Sequence, residues 1–275
     1  MSRLQGGELV LQSALWATNS VVVVGAGACL VCDPSIFPDE IAEIRGLTRG
    51  SAEVSVFVTH SDFDHVCGVP AFGDATVIAG ESTAAAIADG TARRKLDEGG
   101  AEWGTAWGGE LRVDVVASSA PVRCGEEEVS AVDCRGHGDD GSAFVIAGRG
   151  LLLAGDYLSA VCPPIVLGSF DAAIASIERL LCAIEERGIT TVVPGHGPVL
   201  DCERARQIGT DDIAYLRALQ AAADEAVRGD AGPGAARSIA GVVAPPRPAR
   251  PDFERFDWPL ANARRALEEA RRVGE

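Results

Sequence analysis

Hydrophobic and polar positions follow two rhythms along this chain, and the changes of rhythm mark its elements. Val21-Val22-Val23-Val24 and Cys29-Leu30-Val31-Cys32 are unbroken apolar runs on either side of Gly25-Ala26-Gly27. They predict two buried strands joined by a turn and ending at Asp33-Pro34. Residues 38–47 carry Ile41, Ala42 and Ile44 at helical spacing, and residues 54–58 alternate as a strand that runs into His60. Val77-Ile78-Ala79 predicts another strand, and residues 82–96 one helix capped by Ser82. The glycine-punctuated middle, residues 101–132, predicts a meander through 111–116 and 128–132. Residues 143–147 and 151–154 read as a hairpin pair around Gly148-Arg149-Gly150. Residues 170–188 predict an amphipathic helix with Ala173, Ile174, Ile177, Leu180, Leu181 and Ile184 on one face. A strand over 190–193 then delivers His196, a second long helix covers 208–227, residues 244–251 form a Pro/Arg linker, and a charged helix closes the chain over 259–273.

Strands and helices thus come in two successive sets. That order fits α/β architecture of the α+β kind, with sheets covered by helices, and not one alternating βαβ series. No repeat of fixed period is present. We expect a single domain over 1–275, with residues 201–275 as a helical C-terminal extension packed on it.

Composition narrows the function. Hydrophobic residues make up 47% of the 275, enough for a large core. A formal charge of −16 argues against nucleic acid, whose phosphates need clustered Lys and Arg, and against anionic membranes. Lys95 is the only lysine, which reads as a bias toward arginine and not as chemistry. The first dozen residues lack the apolar stretch of a signal peptide, and the longest apolar run, 20–32, is too short to span a bilayer. The eight cysteines are scattered and mostly sit in apolar runs, as small buried hydrophobes do. A cytoplasmic, reduced protein is expected.

The four histidines all stand within two residues of a Gly, Pro or Asp. His60 and His65 bracket His60-Ser61-Asp62-Phe63-Asp64-His65; His137 lies in Arg135-Gly136-His137-Gly138; His196 lies in Pro194-Gly195-His196-Gly197-Pro198; Gly155-Asp156 ends an apolar run. Histidine is the commonest metal ligand and the usual acid–base group near neutrality. If the chain leaves its strand extended, His60, Asp62 and Asp64 point to one side, roughly 6–7 Å apart per step, with His65 reaching round. Such a loop can serve two metals roughly 3.5–4 Å apart. Other features have plainer readings. Gly25-Ala26-Gly27 is followed by strand residues and reads as a hairpin turn, not a dinucleotide loop. Cys29, Cys32 and Cys67 read as packed thiols, Tyr157 as a packed aromatic or a donor to substrate, and Arg179 and Arg187 as solvated.

Thr59 to His65, then His137, Gly155-Asp156 and Pro194-Gly195-His196-Gly197-Pro198, resemble the ordered five-motif signature of the metallo-β-lactamase fold superfamily, over roughly residues 15–200. The resemblance implies a four-layer αββα sandwich with its site at the sheet edge, here with extra C-terminal helices. It also makes Trp103, Trp107 and Phe72 candidates for a pocket mouth, since the region after the hexapeptide and the glycine-rich middle usually contribute there in the family. It implies one metal on His60, Asp62 and His137 and a second on Asp64, His65 and His196, with Asp156 bridging. In most hydrolases of that family a metal-bound hydroxide attacks a carbonyl or phosphoryl centre. One position departs: the family has histidine where this chain has Asp62. As a further ligand, Asp62 takes the formal charge of the loaded site from +1 to zero and makes manganese or iron more competitive with zinc. The flavodiiron branch carries Glu there and binds iron.

The expected function is a metal-dependent hydrolase holding two divalent ions, with zinc the first expectation and manganese or iron open because of Asp62. Its substrate would be a small ester, thioester, lactone or related molecule, with Asp64 and Asp156 as catalytic carboxylates. The expected partner is that small molecule, with no nucleic acid and no membrane, and a homodimer left open. Two alternatives stand: an iron-dependent oxidoreductase or dioxygenase on the same fold, and a non-catalytic binding protein with a weakened metal site.

Overall fold

A computed structural model describes residues 1–104, 107–251, 253 and 256–273. Strands β1 (Ser2–Arg3), β2 (Leu9–Gln12), β3 (Asn19–Val24), β4 (Ala28–Cys32), β5 (Glu53–Val58), β6 (Thr76–Gly80) and β7 (Val115–Ala117) form a seven-stranded sheet in chain order. It is antiparallel from β1 to β4 and parallel from β4 to β7. Strands β8 (Val122–Cys124), β9 (Glu127–Asp133), β10 (Ser142–Ile146), β11 (Leu151–Leu153), β12 (Thr191–Val193) and β13 (Leu200–Asp201) form a second sheet, ordered β13-β12-β11-β10-β9-β8. Helices α1 (Pro38–Leu47), α2 (Phe63–Val66), α3 (Glu81–Ala88) and α4 (Thr91–Trp103) are inserted along the first sheet, and α5 (Phe170–Glu186) and α6 (Cys202–Arg228) belong to the second.

The unbroken apolar runs follow from burial on both faces. Val21, Val23, Leu30, Cys32, Phe57 and Ile78 point into the core between the sheets, where Phe57 meets Phe144 edge-on with ring centroids 5.0 Å apart. Their neighbours Val22, Cys29, Val31, Val56, Val58 and Val77 point the other way, into a core shared with Ile44 of α1 and Leu96 of α4. A third core joins Val132, Val145, Leu152 and Val192 to α5 and α6. Three cores between two sheets and two helical layers make the four-layer αββα sandwich. The Gly25-Ala26-Gly27 segment is the hairpin turn between β3 and β4, with Gly27 at φ +84°.

Several elements differ from the sequence pattern. Residues 82–96 do not form one helix: Asp89-Gly90 breaks it, Gly90 takes φ +84°, and Ser82 bonds to the backbone of Gly141 instead of capping. The middle is no meander. Helix α4 runs on to Trp103, β7 joins the first sheet and β8 the second, so the chain crosses between sheets there; Thr105 and Ala106 lie outside the described residues. Helix α6 starts at Cys202, where the Asp201 side chain caps it by accepting from Arg204 N at 2.7 Å. An unforeseen helix, α7 (Ala235–Val242), precedes the last helix, α8 (Trp258–Val273).

Helix α8 packs Ala263, Ala266 and Leu267 into the core with Leu216 and Leu219 of α6. Its buried Asn262 donates to Pro164 O (2.7 Å) and accepts from Val166 N (3.0 Å), fixing a loop that borders the site. Among the described residues, no helix is long and apolar enough to cross a membrane.

Candidate metal centre

Every candidate residue lies just past the end of a strand, at one edge of the sandwich. His60 follows β5, His137 follows β9, Asp156 follows β11 and His196 follows β12. The two sheets are tied together there: Ser142 N donates to Thr59 O (2.7 Å) and Asn19 N to Gly195 O (2.7 Å). The hexapeptide stays extended only to Asp62; Phe63–Val66 then turns as α2, so Asp64 and His65 arrive on a helical turn and not on an extended edge. Gly195 is required: a Cβ there would run into Asp156 Oδ1 and the Gly155 backbone.

The structure brings all seven sequence-predicted residues together. Asp156 Oδ2 lies 3.8 Å from His60 Nε2, 3.4 Å from His137 Nε2 and 3.2 Å from His196 Nε2, and its Oδ1 lies 3.2 Å from His65 Nε2. Asp62 Oδ2 stands 3.2 Å from His137 Nε2 and 3.7 Å from His60 Nε2. Asp64 Oδ2 stands 3.4 Å from His65 Nε2 and 3.5 Å from His196 Nε2. His60 with Asp62 and His137, and Asp64 with His65 and His196, each gather ligand atoms within 4.8 Å of one another, as do His60, His65 and Asp156.

The far side of each ring fixes its tautomer. His137 Nδ1 lies 3.1 Å from Ile165 O, and His196 Nδ1 lies 3.1 Å from Trp16 O. A carbonyl only accepts, so both nitrogens carry the proton. His65 Nδ1 faces the Asp33 carboxylate at 2.8 Å. Thr59 Oγ1 gives its hydroxyl proton to that same carboxylate (2.6 Å), which leaves it to accept from His60 Nδ1 at 3.0 Å. All four rings therefore present Nε2 to the carboxylates, in the arrangement by which outer partners orient ligating histidines. Asp33 ends β4 and was legible only as a strand terminator; its link to His65 joins residues 32 apart in sequence.

Two further observations test the fit of a cation. His60 Nε2, His65 Nε2 and Asp156 Oδ1 are buried without a hydrogen bond, and buried polar atoms seldom stay so without an ion or another partner. The electrostatics agree. Burial alone would lower His137, yet Asp62 and Asp156 outweigh it and push it up to about 9. Against the same effect of burial, Asp64, Asp156 and Asp33 raise His65 and Asp156 raises His196. Burial opposes ionisation of Asp62 and Asp156, but the histidines around each hold both well below the carboxylate range. The pocket stabilises positive charge, and its donor set suits divalent ions.

A family model described as the metallo-beta-lactamase superfamily matches residues 14–196. The chain belongs to this superfamily. Among solved structures, the metallo-beta-lactamase family protein TTHA1429 from Thermus thermophilus is 20% identical, with 98% of this chain and 95% of that chain covered at a TM-score of 0.66. A metallo-beta-lactamase from Pontibacter korlensis is 15% identical over 78% of this chain and 97% of its own, at a TM-score of 0.60. The protein TTHA1623, solved in a di-iron-bound form, is 22% identical over 73% and 98%, at a TM-score of 0.54. At these identities the likeness concerns the fold. No curated protein matches the chain.

In this metallo-β-lactamase superfamily chain, the one lysine lies at the edge of the candidate centre and not on a solvated face. Lys95 of α4 places Nζ 2.7 Å from Asp62 Oδ1 and 2.8 Å from Ser61 Oγ. The cavity above the centre, about 320 Å³, also differs from expectation. Its apolar wall is Trp16, Phe63, Ile165, Leu167, Phe253, Phe256 and Trp258. Trp107 and Phe72 are buried in the core instead, and Trp103 supports Trp16 edge-on at 5.7 Å. Tyr157 spends its hydroxyl on the backbone, donating to Arg135 O and accepting from His137 N, both at 2.9 Å. Cys29, Cys32 and Cys67 are packed thiols, and burial pushes the Cys67 thiol well above its usual value. Arg179 and Arg187 are not simply solvated; they bond to Asp133 O (2.9 Å) and Ser130 Oγ (2.6 Å) and tie α5 to β9.

Proposed function

We propose that this chain is a metal-dependent hydrolase that holds two adjacent divalent ions and cleaves a small ester, thioester or lactone with an apolar acyl side. The observation that carries the reading is the set of four histidines, each locked through Nδ1, presenting Nε2 to three carboxylates on the floor of an apolar cavity. His60, Asp62 and His137 would hold one ion, Asp64, His65 and His196 the other, with Asp156 between them. Bound there, the ions would lower the pKa of a water and polarise the scissile carbonyl.

The chain's own residues do the rest. Trp16, Phe63 and Phe253 receive the acyl group and exclude bulk water, which strengthens electrostatic interactions at the floor. Asp64 is held at Oδ2, the oxygen that faces His65 and His196, by a bond from Thr18 Oγ1 at 3.3 Å; its other oxygen takes the proton of the attacking water and returns it to the leaving oxygen or sulfur. Asp33 and the carbonyls of Trp16 and Ile165 keep the rings in register. With a formal charge of −16, a small molecule and not nucleic acid is the partner we assign.

Elemental analysis followed by a panel of esters, thioesters and lactones of graded acyl length tests this. Stoichiometric divalent metal and turnover rising with acyl length are expected, and Phe253→Ala should raise KM for the longest acyl chains. A metal-loaded protein inert to the whole panel would refute the hydrolase reading. The hard oxygen of Asp62 favours an iron-dependent oxidoreductase as the second reading, since one solved neighbour is described as di-iron-bound. Iron at stoichiometric content together with oxygen uptake would select it.

A further inference from the structure

The aspartate that replaces the family's histidine does not stand alone. Its two oxygens are divided between two tasks. Oδ2 faces His137 Nε2 at 3.2 Å and His60 Nε2 at 3.7 Å, inside the candidate centre. Oδ1 faces outward and takes Lys95 Nζ at 2.7 Å. The ammonium has a fixed seat. Ser61 donates N and Oγ to the two oxygens of Asp140, at 2.8 and 2.7 Å, so its Oγ is left to accept from Nζ at 2.8 Å. Asp140 Oδ1 is 3.5 Å from the same nitrogen. Three oxygens thus surround the three donors of one ammonium. In a chain with no other lysine, this residue is placed where the site departs from its family.

We propose that Lys95 is a positioning residue that turns Asp62 into the equivalent of a neutral histidine ligand. It offsets the added charge, lying nearer to Asp62 than to Asp140, and occupies Oδ1, so that a single oxygen is offered to the ion. The inference rests on the reading that His60, Asp62 and His137 hold a metal. Counting the ligands and Lys95, and leaving the more remote Asp140 carboxylate at 3.5 Å from Nζ outside the sum, the formal charge of the loaded centre equals that of one with a neutral histidine at position 62. A further consequence is selectivity: a neutralised, one-oxygen carboxylate competes less for hard ions than a free one does.

The pair predicts a non-additive mutant cycle. Asp62→His leaves the ammonium beside a ligand that can neither accept its bond nor cancel its charge, so the ammonium then repels the ion. Binding of Zn²⁺ to the chelator-stripped 275-residue chain, followed by calorimetry, should weaken roughly tenfold or more in Asp62→His. It should return to within about threefold of the parent in the double variant Asp62→His with Lys95→Met. Lys95→Met alone should move the Mn²⁺ to Zn²⁺ affinity ratio toward Mn²⁺, and Lys95→Arg, which keeps the charge, should hold that ratio near the parent value. Far-ultraviolet circular dichroism of the stripped proteins checks that each variant is folded, and Lys95→Gln replaces Lys95→Met if the latter is not. If the parent binds metal but the two substitutions act additively, Lys95 is an ordinary ion pair and this inference fails while the metal reading stands. If the parent binds neither ion, the metal reading fails and takes the inference with it.

Discussion

The Asp33 carboxylate lies 2.8 Å from His65 Nδ1 and also accepts from Thr59 N at 2.9 Å and Thr59 Oγ1 at 2.6 Å. One buried side chain therefore orients His65 directly and His60 through Thr59. Its backbone is left-handed, with φ +48°, a conformation asparagine tolerates well. Asp33→Asn should keep the fold but set an amide NH₂ against one of these donors, with metal affinity falling about 10–100-fold. Asp33→Ala orphans buried donors as well, at about 1–3 kcal/mol each. Calorimetric metal titration and urea unfolding separate the two effects; unchanged affinity in Asp33→Asn would mean that His65 is oriented by packing alone.

The legible part of this protein is what local pattern encodes. His60, His65, His137, His196, Asp64 and Asp156 stand out because each sits in a short motif past a strand end, and β3 to β6 stand out because both faces of their sheet are buried. Lys95 stayed hidden because it reaches Asp62 across 33 residues and from a helix whose own pattern is unremarkable. The aromatic wall stayed hidden for the same reason: Phe253, Phe256 and Trp258 return to the site from beyond α6 and α7. Helix α7 is only eight residues long and buries Ala235 and Ile239 alone, so its pattern, though amphipathic, spans barely two turns between Gly/Pro-rich segments. The Asp89-Gly90 break was written in the chain, but the apolar positions on either side outweighed it.

Asn262 links the C-terminal helix to the centre. It holds Pro164 O and Val166 N on either side of Ile165, whose carbonyl accepts from His137 Nδ1. Asn262→Ala should loosen that carbonyl and weaken binding of the ion assigned to His137, leaving the ion assigned to His196 in place. Stepwise metal titration checks this, with one of two binding steps expected to weaken; two unaltered steps would show that the loop keeps its shape without α8.

The core between the sheets depends on the edge-on pair Phe57 and Phe144, each exposed by 1% or less. Truncating either to alanine should cost about 3–5 kcal/mol in denaturant unfolding. The double truncation should cost less than the sum, because the aromatic contact, worth about 0.5–1.5 kcal/mol, is lost only once. Strict additivity would indicate that the rings fill space without a specific contact.

Asp212 of α6 is 1% exposed and meets Arg247 through Nη2 at 2.9 Å and Nη1 at 2.7 Å. Burial pushes its carboxyl up to about 6 against the pull of that guanidinium. An acid whose folded pKa lies above its unfolded value, about 3.9, stabilises the fold below the unfolded value and loses that contribution as pH rises through the folded one. Parent stability relative to Asp212→Asn should therefore decline between about pH 4 and pH 7, by an amount on the order of 3 kcal/mol, and stay level above that window. Urea unfolding of both proteins across this range measures the difference while cancelling the titration of every other group. A difference that stays flat, or that favours the parent as pH rises, would mean that Arg247 keeps Asp212 ionised throughout and that the pair is a true buried salt bridge.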